Sequence, residues 1–163
     1  MQIVRANQRY AIALLVILAP LAWVDLVLGE SDATLDATRD ATPDAGRARV
    51  HYMLNCQGCH LHNGAGSLDG EVPEMKGFVG NFLKVAGGRE YLVRVPGSAN
   101  APLSDEHLAN LLNWILLTIG GESTPEDFTP YTGDEVGALR STSLTNLVVL
   151  RAELVEKINK VSE

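Results

Sequence analysis

Two cysteines and a histidine lie close together at residues 56–60, which read Cys-Gln-Gly-Cys-His. This C-x-x-C-H spacing is the attachment signal of c-type haem. Residues i, i+3 and i+4 share one face of a helical turn, so two thiols can form thioethers to the edge of one porphyrin while the next imidazole reaches its iron. The motif therefore predicts that Cys56 and Cys59 bind haem covalently and that His60 is the proximal iron ligand.

Three other kinds of site use two cysteines at this spacing. A thioredoxin-like redox pair lies at the start of a helix in a strand-helix-strand setting, and the sequence shows no convincing parallel strands. A zinc site would need a second ligand pair. With two cysteines in the chain it would have to recruit His51, His62 or His107. A short disulfide is open to an exported protein. The haem interpretation is favoured over these three.

Length and charge limit the remaining possibilities. The 163 residues suffice for one domain of modest size with appendages, and the formal net charge is −7. An acidic chain of this kind disfavours nucleic acid as a partner. It favours a redox protein with a basic docking surface, because long-range attraction of opposite charges steers encounter and is weakened by salt.

The N-terminal region predicts export. Arg5 and Arg9 precede an apolar run at residues 11–24, as in the n-region and h-region of a secretory signal. We therefore predict a signal at residues 1–29 and a location in the bacterial periplasm. If the signal is retained, residues 11–28 would anchor the chain to the inner membrane. Residues 30–42 form an Asp-Ala-Thr repeat with too few apolar side chains to fold, and so predict a linker.

Helix signals surround the motif and predict an all-α fold. Residues 42–44, Thr-Pro-Asp, are typical of a helix start, with a capping hydroxyl, a proline at the first helical position and a carboxylate in the first turn. This helix should lead into Cys56. A second helix is predicted after Ser104, because apolar residues recur there at i, i+3 and i+4 until residues 120–121, Gly-Gly. A shorter helix is expected at residues 90–95.

Residues 43–121 resemble the class I c-type cytochromes. In that family a helix leads into C-x-x-C-H and crosses a later helix through a small residue and an aromatic one, roles that Ala48, Tyr52 and residues 111–115 fit. The family's Pro-x-Leu-x-Gly stretch corresponds to residues 73–77, Pro-Glu-Met-Lys-Gly. The resemblance implies one covalent haem c, electron transfer rather than enzymatic catalysis, and a backbone carbonyl of Pro73 that accepts the Nδ1 proton of His60.

The sixth iron ligand is less directly indicated. In class I cytochromes a methionine shortly before the closing helix binds the distal face, whereas this chain has Asn100 there. Met75 is the methionine downstream of Cys59 and is the predicted distal ligand, since a thioether favours the ferrous state. Strict alignment instead places Met75 at the family's leucine, a packing position on the proximal side. The sixth position could also be filled by His107, His62 or Met53, or be vacant.

Residues 122–163 extend beyond the resemblance and predict further helices, one of which should start at residues 132–135, Thr-Gly-Asp-Glu, where the spacing is that of a capping box. The last of these, from about residue 144, carries an apolar stripe that includes Leu147, Leu150, Leu154 and Ile158. We expect it to fold back onto the haem domain, and the alternative is docking onto a partner subunit.

The sequence as a whole favours a periplasmic electron carrier whose partner is a dehydrogenase or a terminal oxidase. Two different functions remain open. One is a haem-based gas sensor or peroxide-reactive protein with an open sixth site. The other is a cytochrome subunit of a respiratory, dehydrogenase or photosynthetic complex.

Overall fold

The computed structural model describes residues 44–142, 144 and 146–162, and within these ranges the chain is helical and has no β-strand. The α-helices are α1 Ala45–Asn55, α2 Gln57–His60, α3 Gly88–Arg94, α4 Pro96–Ala99, α5 Asp105–Trp114, α6 Gly133–Arg140 and α7 Leu147–Val161. Val79–Lys84 and Gly121–Ser123 are 3₁₀-helical, and Ile115–Gly120 is π-helical. The predicted all-α fold is confirmed.

The N-terminal predictions fall outside this description. The signal or anchor at residues 1–29 and the linker at residues 30–42 lie outside the described residues. None of the helices in the described part of the chain is long and apolar enough to cross a membrane. The described residues belong to one compact unit, residues 43–163.

Helix α1 begins because a carboxylate caps it. The Asp44 side chain accepts a hydrogen bond from the Arg47 amide at 3.0 Å, which makes Asp44 the N-cap rather than a first-turn residue as predicted. Ala48 and Tyr52 are buried on one face of α1, and this face packs against α5. The Tyr52 and Trp114 rings are 5.4 Å apart at that crossing. The small and the aromatic residue therefore meet the later helix, as the resemblance implied.

Helix α5 is the apolar centre of the fold. The Ser104 hydroxyl caps it by accepting from the His107 amide at 3.3 Å, and the apolar face that follows is buried: Leu108, Leu111, Leu112 and Ile115. The helix widens into a π-helical turn at Ile115–Gly120, where the Thr124 hydroxyl donates to the Leu116 carbonyl at 2.7 Å. Gly121, with a φ of +53°, then ends it.

The extension after residue 121 is part of the same core. Helix α6 begins at the Thr132 cap, which accepts from the Glu135 amide at 3.2 Å as its sequence predicted, and packs against α5. The Asn113 side chain pairs with the backbone of Tyr131 in both directions, at 3.0 and 2.8 Å. The predicted boundary at residues 121 and 122 is thus not an edge of the packing.

Helix α7 folds back, as the apolar stripe predicted. Its Leu154 and Ile158 side chains are 1% and 3% exposed and belong to the main hydrophobic cluster. The helix packs on the Val79–Lys84 turn. It begins three residues later than predicted because Asn146 takes a left-handed conformation, with a φ of +59°, that an α-helix cannot include.

Candidate haem site

The end of helix α1 and the single turn of α2 bring the three motif side chains together. The Cys56 amide still donates to the Tyr52 carbonyl at 2.9 Å, so Cys56 is the last residue to bond into α1. The Cys56 carbonyl then accepts from the amides of Cys59 and His60, at 3.2 and 2.9 Å. Both cysteines and the histidine therefore lie on one helical turn, which is the local geometry that the spacing predicted.

The two cysteines are free thiols in different environments. Cys59 is exposed, whereas Cys56 is half-buried and packs against the hydrophobic core. Burial raises the pKa of the Cys56 thiol to about 11, and the neighbouring Cys59 contributes to this rise. Since the sulfurs are not joined in a disulfide, both are available for thioether formation.

The rival interpretations of the motif fit the described residues poorly. In the part of the chain that the structure describes, no group of three or more His, Cys, Asp and Glu side chains could hold a metal ion, so the zinc site lacks its second ligand pair. The same residues form no strand, and a thioredoxin-like pair requires a strand-helix-strand setting.

His60 has an imidazole suited to iron. Burial lowers the pKa of His60, and the backbone carbonyl of Pro73 lies near enough to oppose that lowering. The Nδ1 atom is buried, although it makes no hydrogen bond of ordinary geometry. A lowered pKa keeps the ring neutral at neutral pH, and the neutral imidazole is the form that binds metal through a ring nitrogen. The free thiols and the neutral imidazole together fit a covalent haem.

The turn after His60 is held in an unusual backbone conformation. Leu61 has a φ of 63° and a ψ of 173°, a region that is essentially restricted to glycine and costs about 1–3 kcal/mol. The Tyr52 hydroxyl donates to the Leu61 carbonyl at 2.7 Å and so stabilises this conformation. Sequence reasoning assigned Tyr52 to helix packing alone and missed this hydrogen bond, because nothing in the sequence indicates the reach from α1 to residue 61.

Gly66 brings the Pro73 segment close to His60. Its amide donates to the His60 carbonyl at 3.3 Å, and its φ is +73°. A Cβ atom at this position would meet the Val72 carbonyl oxygen and would lie 2.8 Å from the carbonyl carbon of Pro73. Glycine is therefore required both for the turn and for the close approach. The sequence around Gly66 does not indicate this close approach, because it depends on a segment seven residues away.

Met75 lies on the same segment as Pro73. Its amide donates to the Gly64 carbonyl at 2.7 Å, and its half-buried side chain packs against the hydrophobic core. A Cβ atom on Gly64 would lie 3.5 Å from the Met75 Cβ and would meet the Ile119 side chain. These contacts favour the packing role that strict alignment gave Met75. The ligand role of Met75 stays a prediction.

The remaining predicted candidates for the sixth position are dispersed. Met53 is 52% exposed on α1, and His62 is exposed. His107 lies at the start of α5, where its Nε2 is 3.2 Å from Arg47 Nη1 and its ring is 5.1 Å from that of His51. The contacts of the described residues do not join any of these side chains to His60.

No family model matches the chain. Among curated proteins, the chain is similar to cytochrome c-552 of Thermus thermophilus, with 36% identity over 113 residues that cover 58% of this chain and 86% of the relative. A second cytochrome c-552, from a named strain of the same species, matches at the same identity, length and share of this chain, and 76% of that relative is covered. An identity above 30% over most of the relative shows that this chain belongs to the c-type cytochromes, whose cofactor is covalently bound haem c.

Proposed function

We propose that this c-type cytochrome is a periplasmic electron carrier with one haem. The observation that carries the proposal is the α2 turn, which presents two free thiols and a neutral imidazole on one helical turn. In this proposal Cys56 and Cys59 form the thioethers and His60 binds the iron on the proximal side. The haem, when bound, supplies the one-electron chemistry.

The protein groups around His60 would hold the ring in place. The Pro73 carbonyl is the proposed acceptor for the Nδ1 proton, and such a bond fixes the ring orientation and raises the basicity of the ligating nitrogen. Gly66 lets the backbone approach the Pro73 side of this hydrogen bond, and the hydrogen bond from Tyr52 to Leu61 holds the backbone next to His60. The apolar core around Cys56 would exclude water and so contribute to the reduction potential.

The proposed partner is a redox protein with a basic docking surface. The net charge of −7 supports this, because opposite charges raise the rate of encounter and salt weakens the effect. Residues 1–29 would direct the chain to the periplasm, or residues 11–28 would hold it at the inner membrane. On the α7 stripe that could have docked onto a subunit, Leu154 and Ile158 are buried within this chain and Leu147 and Leu150 are partly buried, which weighs against the subunit alternative.

The experiment that tests the carrier function is a redox titration of the full chain matured with haem. We expect a reversible one-electron transition, and electron exchange with a basic redox protein that slows as ionic strength rises. The His60→Ala variant should lose the wild-type transition, whereas His62→Ala, which changes an exposed histidine two residues away, should keep it. A wild-type chain without a reversible transition, or a His60→Ala variant that keeps the wild-type one, would contradict the proposal.

A further inference from the structure

A haem iron that is bound by His60 has a second axial position, and the neutral side chains that fill it in proteins are chiefly the thioether of methionine and the imidazole of histidine. Lysine amines are protonated at neutral pH and are poor donors there. The described residues contain two methionines and four histidines, and one of these histidines is His60 itself. The contacts of the other five side chains therefore decide whether the protein fills this position.

Met75 is held on the His60 side of the site. It lies two residues after Pro73, whose carbonyl faces His60, and its amide is fixed to Gly64, four residues after His60. Its side chain is engaged with the core beside Gly64 and Ile119. To bind an iron on the face opposite His60, the Met75 side chain would have to give up these contacts.

The exposed candidates lack packing that would hold them against an iron. Met53 is 52% exposed and lies one helical turn before Cys56 on α1. His62 is exposed in the turn that directly follows His60. A ligand to iron must be fixed within a fraction of an ångström, and this requires supporting contacts from neighbouring residues.

His51 and His107 contact each other where α1 packs against α5. The His107 imidazole bonds to Arg47, and the two histidine rings lie against each other at 5.1 Å. Arg47 is in the first turn of α1, whereas Cys56 follows the last turn. Most of α1 thus separates His107 from the haem-binding turn. His51 precedes Cys56 by five residues, and its ring, whose buried Nε2 makes no hydrogen bond, lies against His107.

The segment that leads into α5 is held in place by Arg140 and carries no side chain suited to bind iron. Arg140 makes five hydrogen bonds there, which reach the carbonyls of Ala99, Ala101 and Leu103 and the Asp105 carboxylate at 2.8–3.3 Å. Residues 96–104 contain neither histidine nor methionine. This segment therefore cannot supply the missing ligand by a small movement.

From these placements we propose that the described part of the chain supplies no sixth ligand to the haem iron, and that this position accepts a small uncharged diatomic molecule, such as carbon monoxide or nitric oxide. The inference rests on the proposed role of His60 as proximal ligand. It adds a ligand-binding site to the electron carrier, because an iron with an open axial position binds such molecules without first displacing a side chain.

The test uses the full chain matured with haem, with carbon monoxide as the probe. Haem retention after acid extraction is measured first, so that failure of the attachment is distinguished from failure of this inference. We then expect high-spin haem in both oxidation states at neutral pH. Carbon monoxide should bind the reduced protein at one molecule per haem, at a rate that rises linearly with its concentration because no internal ligand has to leave.

Five variants identify any internal ligand: Met75→Leu, Met53→Leu, His51→Gln, His62→Gln and His107→Gln. We expect each to keep the high-spin spectrum, with carbon monoxide affinity within about twofold of wild type, since exchange of Met for Leu nearly conserves volume. A low-spin wild-type spectrum would overturn the proposal whether or not a variant changes it, and a variant that does change it would name the ligand. A high-spin protein that does not bind carbon monoxide would overturn it as well.

Discussion

Residues 61–77 and residues 95–104 are both irregular segments, but different interactions fix them. The first is held near His60 by backbone hydrogen bonds that Gly64 and Gly66 allow. The second is held by Arg140, the last residue of α6. The first segment supports the predicted iron ligand, and the second closes the fold without contributing one. Variants in the two segments should therefore change different properties of the protein.

The largest effect is expected for Gly66→Ala in the first segment. The added methyl group would meet the Val72 carbonyl and would also impose an unfavourable positive φ, a backbone cost of about 1–3 kcal/mol before the clash is counted. We expect a loss of several kcal/mol and a lower yield of haem-loaded protein, measured by denaturation and by haem absorbance per chain.

The matched control for Gly66→Ala lies in the second segment. Gly97 is in helix α4, and a Cβ atom there would meet no atom within 4 Å. Gly97→Ala should therefore leave stability and haem content nearly unchanged. Equal losses in both variants would show that the two segments do not differ as described.

Arg140→Ala should destabilise the fold without altering the haem spectrum. The substitution leaves three backbone carbonyls and the Asp105 carboxylate without their donor, at a cost of about 2–4 kcal/mol. The spin state should not change, because this segment carries no iron ligand. Thermal unfolding measured with the visible spectrum checks both points.

Arg49, which is exposed on α1, offers the control for Arg140, and Arg49→Ala should change neither property. A change of spin state in Arg140→Ala would mean that the second segment takes part in the iron site after all.

Tyr52→Phe should have the smallest effect, and this effect should be local to His60. The variant keeps the packed ring but leaves the Leu61 carbonyl without its donor, which costs about 1–2 kcal/mol. We expect a shift in reduction potential as well, because Leu61 follows His60 directly. Tyr91, also buried, does not bond to the His60 turn, so Tyr91→Phe should not move the potential. If both variants shift it equally, the hydrogen bond from Tyr52 has no special role.

Local signals in the sequence were sufficient to predict most helices. Ser104 and Thr132 are caps whose hydroxyls accept the expected amide hydrogen bonds, and the apolar spacing of α5 matches its buried face. The C-x-x-C-H turn was equally local, since its geometry depends on residues within one helical turn. Such features need no knowledge of the rest of the fold.

Contacts between distant residues could not be predicted. The partners of Arg140 are backbone carbonyls 37–41 residues away. Every residue type has the same backbone carbonyl, so the sequence does not indicate these partners. The close approach of Gly66 to Pro73 likewise depends on how the loop closes. The role of Met75 was left open for the same reason, because a methionine in a core and a methionine on an iron are identical in sequence.

The central claim is that haem is held by Cys56 and Cys59 next to His60, and the mass of the matured chain after acid-acetone extraction tests it most directly. The account predicts that the wild-type chain retains the mass of one haem. It also predicts that the double variant Cys56→Ala, Cys59→Ala has the mass of the polypeptide alone. Haem that comes away from the wild-type chain, or haem that stays on the double variant, would contradict it.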